Sequence, residues 1–600
     1  MAHCGFRGVL IPAAIGIGLV VGCAGAGSAS SQAPAPPPSS SSSKAPAPPP
    51  SSSSPKPPAP PSSSSGSKAP APASPSTGLD RYGGYADLAV KGAASGFFRI
   101  DKVGARWVLV TPDNHVFWAL SVYGVNTGDG GPAYVEAVKK KYDSPGWMPW
   151  GLFVRQASLR LKSWGFNTLG EYTTNYALPI PSYGGRDVNP VPMPFISIIN
   201  PSYWAKRYAA VKNIQLGVDP AVTPGLWRVE GFPDVFDPAY QAALPGFAAR
   251  KNIFNVVPLA STPWHIGTTT DDGDDLFGFG PVTTHNNLGW IAAATAPSQA
   301  RNDKRGKSNP QPTVYKDTKV YTKYALRDFL RTRYSSIEKL NAAWGSKYTT
   351  WDSDGGWPNG KGFLDESGRS PWLGKDFRQL KDSAPKVRTD LNDFVGVLAD
   401  HYFKIVSTAL RDALPHHLVV APVNALGHPK ILEAAGRYAD LVQVGGSLKV
   451  EDFRRVYSLV RKPMLIWTTY MSQVDSPLGN NKKGWAGLDF PTQEERGAAY
   501  EKFIQNILDF QADDGTYPII GIDWWAWTDK TVGGEGNNFG LVTNRDNAYD
   551  GKEAVIAAGQ DPWGHPTGGE KGNYGDFLSR VTRTNASIGQ TLRKELSADR

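Results

Sequence analysis

Cysteine is almost absent from this chain of 600 residues, which contains only Cys4 and Cys23. The folded part therefore has no disulfide bonds and no metal site made of cysteine ligands. Without such cross-links, we expect it to depend on a large apolar core. Residues 79–600 are long enough to supply one.

Concentrated charge and several catalytic motifs are also missing. The chain has 63 Lys and Arg against 54 Asp and Glu, a formal net charge of +9, and its basic residues are scattered. A nucleic-acid partner is therefore not expected, and the surplus can simply aid solubility. No GxSxG, HExxH, P-loop or dinucleotide-binding motif occurs between a predicted strand and a predicted helix. These absences argue against the enzyme classes that depend on such motifs.

Residues 1–23 have the features of a secretory signal, with a weakly basic start and an apolar run through Val21. The run is short and rich in Gly and Ala, which argues against a membrane-spanning helix. Its end, Leu19–Cys23, resembles the lipobox of bacterial lipoproteins. This resemblance implies a lipid on Cys23 and a location in the cell envelope, periplasmic or on the cell surface. An ordinary signal peptide, cut near the Ala-Gly-Ser run that follows, is the alternative.

Residues 24–78 consist almost entirely of Ala, Pro, Ser and Gly with a few Lys. They contain no aromatic or large aliphatic side chain with which to bury surface, so we expect a disordered, extended segment. Such a segment is typical of a tether that holds a domain away from a membrane.

Eight short apolar runs follow, and a helical pattern separates most of them. The runs are Val116–Val122, Phe166–Leu169, Pro194–Ile199, Trp264–Thr268, Leu418–Val423, Leu441–Val444, Pro463–Thr468 and Ile519–Trp524. Strands that alternate with helices favour a parallel sheet with crossover helices. Eight such units predict an α/β fold, a (β/α)8 TIM barrel, over residues 79–600.

Three further segments complete the predicted fold. Alternating apolar and polar residues around the turn Thr111–Asn114 predict an N-terminal entrance hairpin. After the fourth strand, the segments Tyr321–Trp344 and Leu391–Leu414 predict long helices within an insertion. The polar tail after Pro562 is predicted to wrap the surface.

The active sites of such barrels lie at the carboxyl ends of the strands. The densest acidic cluster, Asp271, Asp272, Asp274 and Asp275, directly follows the fourth strand. Crowded carboxylates raise each other's pKa, which suits a proton donor. A calcium site around Gly273 and a solvated loop are the two alternatives.

Other candidates lie near the ends of the predicted strands. Glu171 follows the second strand. Asp523 lies inside the eighth strand among Trp and Ile residues, so it is expected to be buried and either paired or functionally perturbed. The residues predicted to bind substrate are Asn126, Asn167, Trp264, Trp525, Trp527 and Glu535.

The tryptophans near the last strand are a special case among the 19 in the chain. Strand alternation would place Trp525 and Trp527 on one face and Trp524 on the other. At least one of them should then reach the mouth of the barrel, where an indole ring can stack on the apolar face of a sugar. The alternative is that they fill the core.

Several segments together resemble agarase-like members of the clan A glycoside hydrolases. The matching segments are Arg106–Phe117, Leu159–Gly170, Leu326–Trp351 and Pro518–Leu541. The resemblance implies a retaining barrel glycosidase, and no metal or cofactor is expected. It also implies a Glu proton donor after strand four and a Glu nucleophile after strand seven.

The chain departs from this pattern at both catalytic positions. After strand four, Asp271 and Asp272 stand where the family has Asn-Glu, so Asp272 is predicted as the proton donor with Asp271 tuning it. After strand seven, Trp467–Met471 contains no carboxylate. A second carboxylate from another strand end is therefore expected, with Glu171 as the first candidate and Asp523 as the second.

Three hypotheses follow for function. The first is a monomeric glycoside hydrolase, tethered to a membrane by its lipid, that acts on a polysaccharide or oligosaccharide. The second is a non-catalytic glycan-binding lipoprotein on the same scaffold, and the third is a structural surface protein. The fold does not decide between them. The density of acidic residues favours the first.

Overall fold

The computed structural model describes the barrel strands and the helices given below. The described residues are 78–128, 130–142, 149–173, 191–199, 213–214, 232–233, 235–248, 252–253, 257–271, 300–301, 314–315, 321–352, 362–364, 385–445, 447–473, 489–529, 538–548 and 574–596. The predicted signal with Cys23 and residues 24–77 of the predicted tether lie outside them. So do Asp272, the pair Asp274 and Asp275, and Glu535.

An antiparallel sheet of four short strands precedes the barrel. Its strands are β1 (Tyr85–Ala89), β2 (Arg99–Val103), β3 (Arg106–Val110) and β4 (His115–Phe117), in the order β1-β4-β3-β2. The predicted hairpin is present as β3 and β4. Its turn contains Asn114 with a φ of 74°, a left-handed conformation that Asn adopts more readily than most residues.

Eight parallel strands then close into a barrel, and the predicted (β/α)8 fold is confirmed. They are β5 (Ala119–Val122), β6 (Thr168–Leu169), β7 (Phe195–Ile198), β8 (His265–Thr269), β9 (Leu418–Asn424), β10 (Leu441–Gly445), β11 (Met464–Thr469) and β12 (Ile519–Trp524). The first predicted strand is divided at Trp118. Residues before it pair with β3, whereas residues after it pair with β6 and β12.

The helices lie mostly between the barrel strands. Within the described residues they are α1 (Pro132–Tyr142), α2 (Pro149–Ser163), α3 (Pro238–Ala248), α4 (Tyr321–Tyr334), α5 (Ile337–Trp344), α6 (Pro385–Ala413), α7 (Pro429–Tyr438), α8 (Val450–Val460), α9 (Gln493–Leu508) and α10 (Tyr574–Leu596). A 3-10 turn spans Leu259–Ser261. Two-residue strands pair Asn213–Ile214 with Phe232–Pro233, Asn252–Ile253 with Val257–Pro258, Ala300–Arg301 with Val314–Tyr315, and Ser472–Gln473 with Asp489–Phe490. None of the helices in these ranges is long and apolar enough to span a membrane.

The four-stranded sheet covers the amino end of the barrel. Its inner face and the preceding Tyr82 pack on inward-pointing barrel side chains, in one buried cluster. The cluster comprises Tyr82, Phe98, Leu109, Phe117, Ala119, Ile196, Ile266, Val420, Leu441, Leu465 and Ile520. The predicted entrance hairpin thus closes the barrel at the end opposite the carboxyl ends of the strands, so the candidate site lies at the other end.

The insertion after β8 includes α4, α5 and α6, which meet around the buried carboxylate of Asp390. The guanidinium of Arg333 donates to it at 2.6 Å and the indole nitrogen of Trp344 at 2.7 Å. The sequence predicts a single helix over Tyr321–Trp344. In the structure it is divided into α4 and α5, because Ser335 has a φ of 65° and Ser336 caps the start of α5.

The tail predicted to wrap the surface instead contributes α10, which packs against α9 and β1. Phe577, Val581, Ile588 and Leu592 are buried on one side of this helix. Their spacing of four and seven residues forms an apolar stripe that the polar composition of the tail obscures. The prediction is therefore wrong for residues 574–596.

Candidate active site at the carboxyl end of the barrel

A cluster of aromatic side chains, called here the aromatic cluster, lies where the barrel strands end. It contains Tyr123 directly after β5, Trp467 in β11, Trp525 directly after β12, and Phe539, with Tyr470 packed against them. The rings of Tyr470 and Phe539 lie 4.7 Å apart, and those of Trp525 and Phe539 lie 5.3 Å apart. Tyr123, Trp467, Trp525 and Phe539 are each at most 5% exposed, so their rigid, largely apolar rings lie covered at this end of the barrel.

The described carboxyl groups predicted to be catalytic lie at the same end. Glu171 is the second residue after β6, Asp271 is the second after β8, and Asp523 is the last but one in β12. All of them are at most 1% exposed. The Gly124 amide donates to the Glu171 carbonyl at 2.9 Å, which joins the loops after β5 and β6.

Asp271 is held from outside the barrel by α6. The Tyr402 hydroxyl donates to its Oδ2 at 2.6 Å, and both residues are fully buried. Burial and the charge of Asp271 raise the pKa of Tyr402 well above its usual value. Tyr402 therefore stays protonated as a donor and holds the Asp271 carboxylate in place.

Asp523 lies one layer deeper, in the interior of the barrel. It is in register with Ser121 of β5, and its Oδ1 lies close to Gly170, the residue after β6. Burial raises the pKa of Asp523 to about 7, against a smaller opposing effect of the Ser121 hydroxyl. A group with this pKa gains and loses a proton near neutral pH.

We expect Asp523 to make the protein less stable as the pH rises. Its folded pKa of about 7 exceeds that of an unfolded Asp, so the folded state binds more protons. The resulting stabilisation is complete in acid and is lost as the pH rises toward the folded pKa, by about 3 kcal/mol between about pH 5 and about pH 8. Urea unfolding of the wild type and Asp523→Asn at both pH values measures this contribution. A difference between the two proteins that stays constant with pH would contradict it.

We also expect Gly170→Ala to destabilise the protein by about 1–3 kcal/mol through overpacking. A Cβ at Gly170 would lie 2.5 Å from Asp523 Oδ1 and 2.9 Å from both Ser121 Oγ and the Val122 carbonyl. Denaturant unfolding measures the effect. Gly246→Ala in α3 is the matched control, since nothing lies within 4 Å of the added carbon. Equal stabilities of the two variants would show that the barrel interior accommodates the methyl group.

Asn126, predicted to bind substrate, follows β5 toward the carboxyl end of the barrel. Its Oδ1 accepts from the Gly128 amide at 2.8 Å, and its Nδ2 donates to the Tyr172 carbonyl at 3.1 Å. These contacts join the loops after β5 and β6, so Asn126 orders the rim of the site.

Two predicted substrate-binding residues lie at the opposite, amino end of the barrel. Asn167 precedes β6, and its side-chain amide binds the Leu120 amide at 2.8 Å and the Trp118 carbonyl at 2.9 Å. Trp264 precedes β8, and its ring lies 4.6 Å from that of Tyr82 in the closed end. These two predicted substrate-binding residues therefore lie away from the carboxyl end of the barrel, because a residue that precedes a strand lies at its amino end.

Trp527 faces the helices rather than the mouth. It is fully buried, its indole nitrogen donates to the Tyr134 hydroxyl at 2.8 Å, and its ring stacks on Trp164. The alternation rule misplaces it because β12 ends at Trp524, three residues earlier. Of Trp524, Trp525 and Trp527, it is Trp525 that belongs to the aromatic cluster.

Most of the aromatic cluster is not predicted from the sequence, namely Tyr123, Trp467, Tyr470 and Phe539. Tyr123 and Tyr470 each directly follow a barrel strand. That position is the signal by which they could have been found. Phe539 comes from a loop after β12, and the sequence gives no comparable sign of its place.

Arg496 of α9 connects the loops that carry this cluster. It is fully buried and donates to the carbonyls of Met471 and Gly540, each at 2.9 Å. Its guanidinium lies 4.0 Å from the ring centre of Phe577 in α10. The buried guanidinium of Arg496 therefore holds Met471, which follows β11, close to Gly540, which follows β12.

A buried ion cluster anchors the loop of residues 538–548. Asp546 lies 3.2 Å from Lys141 and 3.1 Å from Arg160, and all these side chains are at most 2% exposed. Burial alone would raise the pKa of Asp546, but Lys141 and Arg160 outweigh it and lower that pKa. Because this loop carries Phe539, the ion cluster also positions one wall of the aromatic cluster.

The described ranges contain no group of three or more His, Cys, Asp or Glu side chains arranged to hold a metal ion. The acidic cluster for which calcium was the alternative is described only at Asp271. The calcium hypothesis for that loop therefore stays untested.

Known proteins share this architecture. No model of a protein family matches the chain. Beta-agarase B of Vibrio sp. (strain JT0107) is 23% identical over 516 residues, which are 78% of this chain and 48% of that protein. The chain thus spans about half the length of this relative, and 20% of the length of beta-agarase A from the same strain.

Two solved structures agree with this likeness. An exo-beta-agarase superposes with a TM-score of 0.60 at 18% identity, covering 86% of this chain and 67% of that one. The agarase AgWH50C gives 0.59 at 18% identity, covering 85% and 67%. The barrel described above is therefore a fold that this chain shares with agarases.

Proposed function

We propose that this protein is a glycoside hydrolase that acts on a polysaccharide, with agar-type galactans as the first substrate class to test. One observation carries the proposal: aromatic rings and buried carboxyl groups occupy the same end of a barrel whose other end is closed. Aromatic rings hold a sugar by stacking, and carboxyl groups are the usual catalysts of glycoside hydrolysis. The similarity to beta-agarases supports the choice of substrate.

In the proposed mechanism, Asp272 protonates the glycosidic oxygen as the bond breaks. Its chain neighbour Asp271 is fixed at the mouth by Tyr402. Glu171 is the proposed second carboxylate, since it follows its strand at the level of the mouth. Asp523 lies deeper, within its strand, and is less suited to reach the scissile bond. The anomer released first, read by NMR, distinguishes a Glu171 that attacks the sugar from one that activates water.

A second candidate function is glycan binding without turnover. The chain from Met464 to Gln473, which includes all of β11, contains no Asp or Glu. The family that the sequence resembles places its nucleophile at the end of this strand. A hydrolase scaffold that had lost this group would still present the aromatic cluster to a sugar.

We further propose that the protein is anchored in the cell envelope by a lipid on Cys23, with residues 24–78 as the tether. The lipobox-like residues Leu19–Cys23 and the composition of the tether support this. Metabolic labelling with a fatty-acid analogue tests it, with Cys23→Ser as the control.

The test of function is a screen of the purified protein against agarose, other galactans and glucans. Released reducing ends and the bound fraction are read on the same samples. Product release supports the hydrolase and names its substrate. Binding without product supports the second candidate, and neither product nor binding on any polysaccharide contradicts both.

A further inference from the structure

Four polar side chains inside the barrel have buried hydrogen-bonding atoms that lack a partner of good geometry among the described residues, although the Ser121 hydroxyl lies close enough to Asp523 to lower its pKa. The atoms are Ser121 Oγ, Gln443 Nε2, Trp467 Nε1 and both carboxyl oxygens of Asp523. Each of these side chains is at most 5% exposed. A buried polar atom without a partner costs about 1–3 kcal/mol, so several of them together indicate a ligand that completes their hydrogen bonds.

These side chains line one part of the interior. Asp523 and Ser121 are in register on the neighbouring strands β12 and β5. Gln443 points inward, because its Oε1 accepts from Thr269 on β8 at 3.2 Å, and β9 separates β8 from its own strand β10. Trp467 comes from β11, which lies between β10 and β12. The four side chains therefore come from four consecutive strands of the closed barrel.

One of the four side chains also belongs to the aromatic cluster at the carboxyl end of the barrel. Trp467 packs in the aromatic cluster with Tyr123 and Trp525, and it also contributes one of the unsatisfied atoms. The layer below, toward the closed end, is apolar and includes Leu441, Leu465 and Ile520. The unsatisfied atoms thus form a polar layer between the aromatic cluster and the apolar floor.

The chemistry of these atoms selects a neutral hydroxyl group. Gln443 Nε2 and Trp467 Nε1 are donors, the Ser121 hydroxyl can donate or accept, and the Asp523 carboxyl can accept. A hydroxyl accepts from the first two and donates to the carboxyl. One carboxyl group with two N–H donors offers too few oxygen ligands for a cation, and the carboxyl disfavours an anion.

We propose that Ser121, Gln443, Trp467 and Asp523 form a site that binds a hydroxyl group inside the barrel, directly below the aromatic cluster. The hydroxyl comes either from a sugar stacked at Trp525, in which case the site rests on the proposed function, or from an ordered water molecule. Because the site is buried, a sugar reaches it when the aromatic side chains rearrange, whereas water needs no such change. A comparison of the ligand-free and the sugar-bound protein therefore shows whether water or a sugar supplies the hydroxyl group.

The test is a pair of crystal structures at a resolution that shows ordered water. One crystal contains the full protein alone, and the other is grown with oligosaccharides from partial hydrolysis of agarose. Density within hydrogen-bond distance of Asp523 in either crystal supports the site. Water in both crystals names water as the ligand, and a sugar hydroxyl in the second names the sugar. Asp523 oxygens paired with protein groups, with no other density beside them in either crystal, would overturn the proposal.

Calorimetric titration of the oligosaccharides gives an independent measurement. If the sugar supplies the hydroxyl, Asp523→Asn and Gln443→Met should each raise the Kd about 10- to 100-fold. Asp513→Asn, an exposed substitution at an ion pair with Arg454, should leave the Kd unchanged. The ligand-free crystal decides the existence of the site even if the protein hydrolyses nothing. Failure of the proposed function therefore stays distinct from failure of this inference.

Discussion

Exchange of Asp272 for asparagine is expected to lower polysaccharide hydrolysis by about 10²- to 10⁴-fold, the contribution of a positioned general acid. The amide has the size of the carboxyl group but carries no acidic proton, so the leaving oxygen departs without protonation. The bound fraction of polysaccharide should stay the same. Initial rates of reducing-end release, with binding measured in parallel, give both values.

The leaving group provides the decisive control for Asp272. An aryl glycoside that releases a weakly basic phenolate needs little protonation, so Asp272→Asn should lose far less activity on it than on the polysaccharide. Asp513→Asn repeats the chemical change at an exposed site and should keep full activity on both substrates. Unchanged polysaccharide hydrolysis in Asp272→Asn, or an equal loss on both substrates, would remove Asp272 as the proton donor.

Replacement of Asp546 by asparagine is expected to lower the free energy of unfolding by about 3–5 kcal/mol, as when a buried ion pair loses one partner. Lys141 and Arg160 would keep their charges in a buried environment without this carboxylate. Asparagine tolerates the φ of 59° at this position, so the change tests the charge rather than the backbone. Denaturant unfolding at neutral pH measures the loss.

The surface pair of Asp513 and Arg454 is the matched control for this experiment. Its side chains are 76% and 43% exposed, and Asp513→Asn should cost at most about 1 kcal/mol. In the wild type, Asp546 has a lowered pKa. Its stabilisation is therefore present at neutral pH and lost as the pH falls, and Asp546→Asn should narrow its gap to the wild type in acid. A gap that is small and constant with pH would contradict the electrostatic role of the cluster.

The barrel could be predicted from the sequence because its strands are short, apolar and separated by helical patterns. These local signals are enough to place Glu171, Asp271 and Asp523 toward the carboxyl ends of their strands. Parallel strands share one direction, so a correct strand boundary also decides the end of the barrel at which a side chain lies.

Other features depend on contacts between distant parts of the chain, which local patterns do not contain. Tyr402 reaches Asp271 from a helix 131 residues further on. Arg496 ties Met471 to Gly540, and neither end of that link is marked in the sequence. Trp527 is misplaced for a different reason. The prediction assumes that the alternation of side chains along β12 continues past Trp524, where the strand ends.

The closed end of the barrel also determines how the protein would face its surroundings. The Gly78 carbonyl accepts from the Ala86 amide at 3.0 Å, so the described chain enters along β1, at the sheet that closes the barrel. Any attachment through the preceding residues therefore holds the molecule by its closed side. If residues 24–78 form the proposed flexible tether, it leaves from the side opposite the aromatic cluster, so the attachment itself does not cover that end of the barrel.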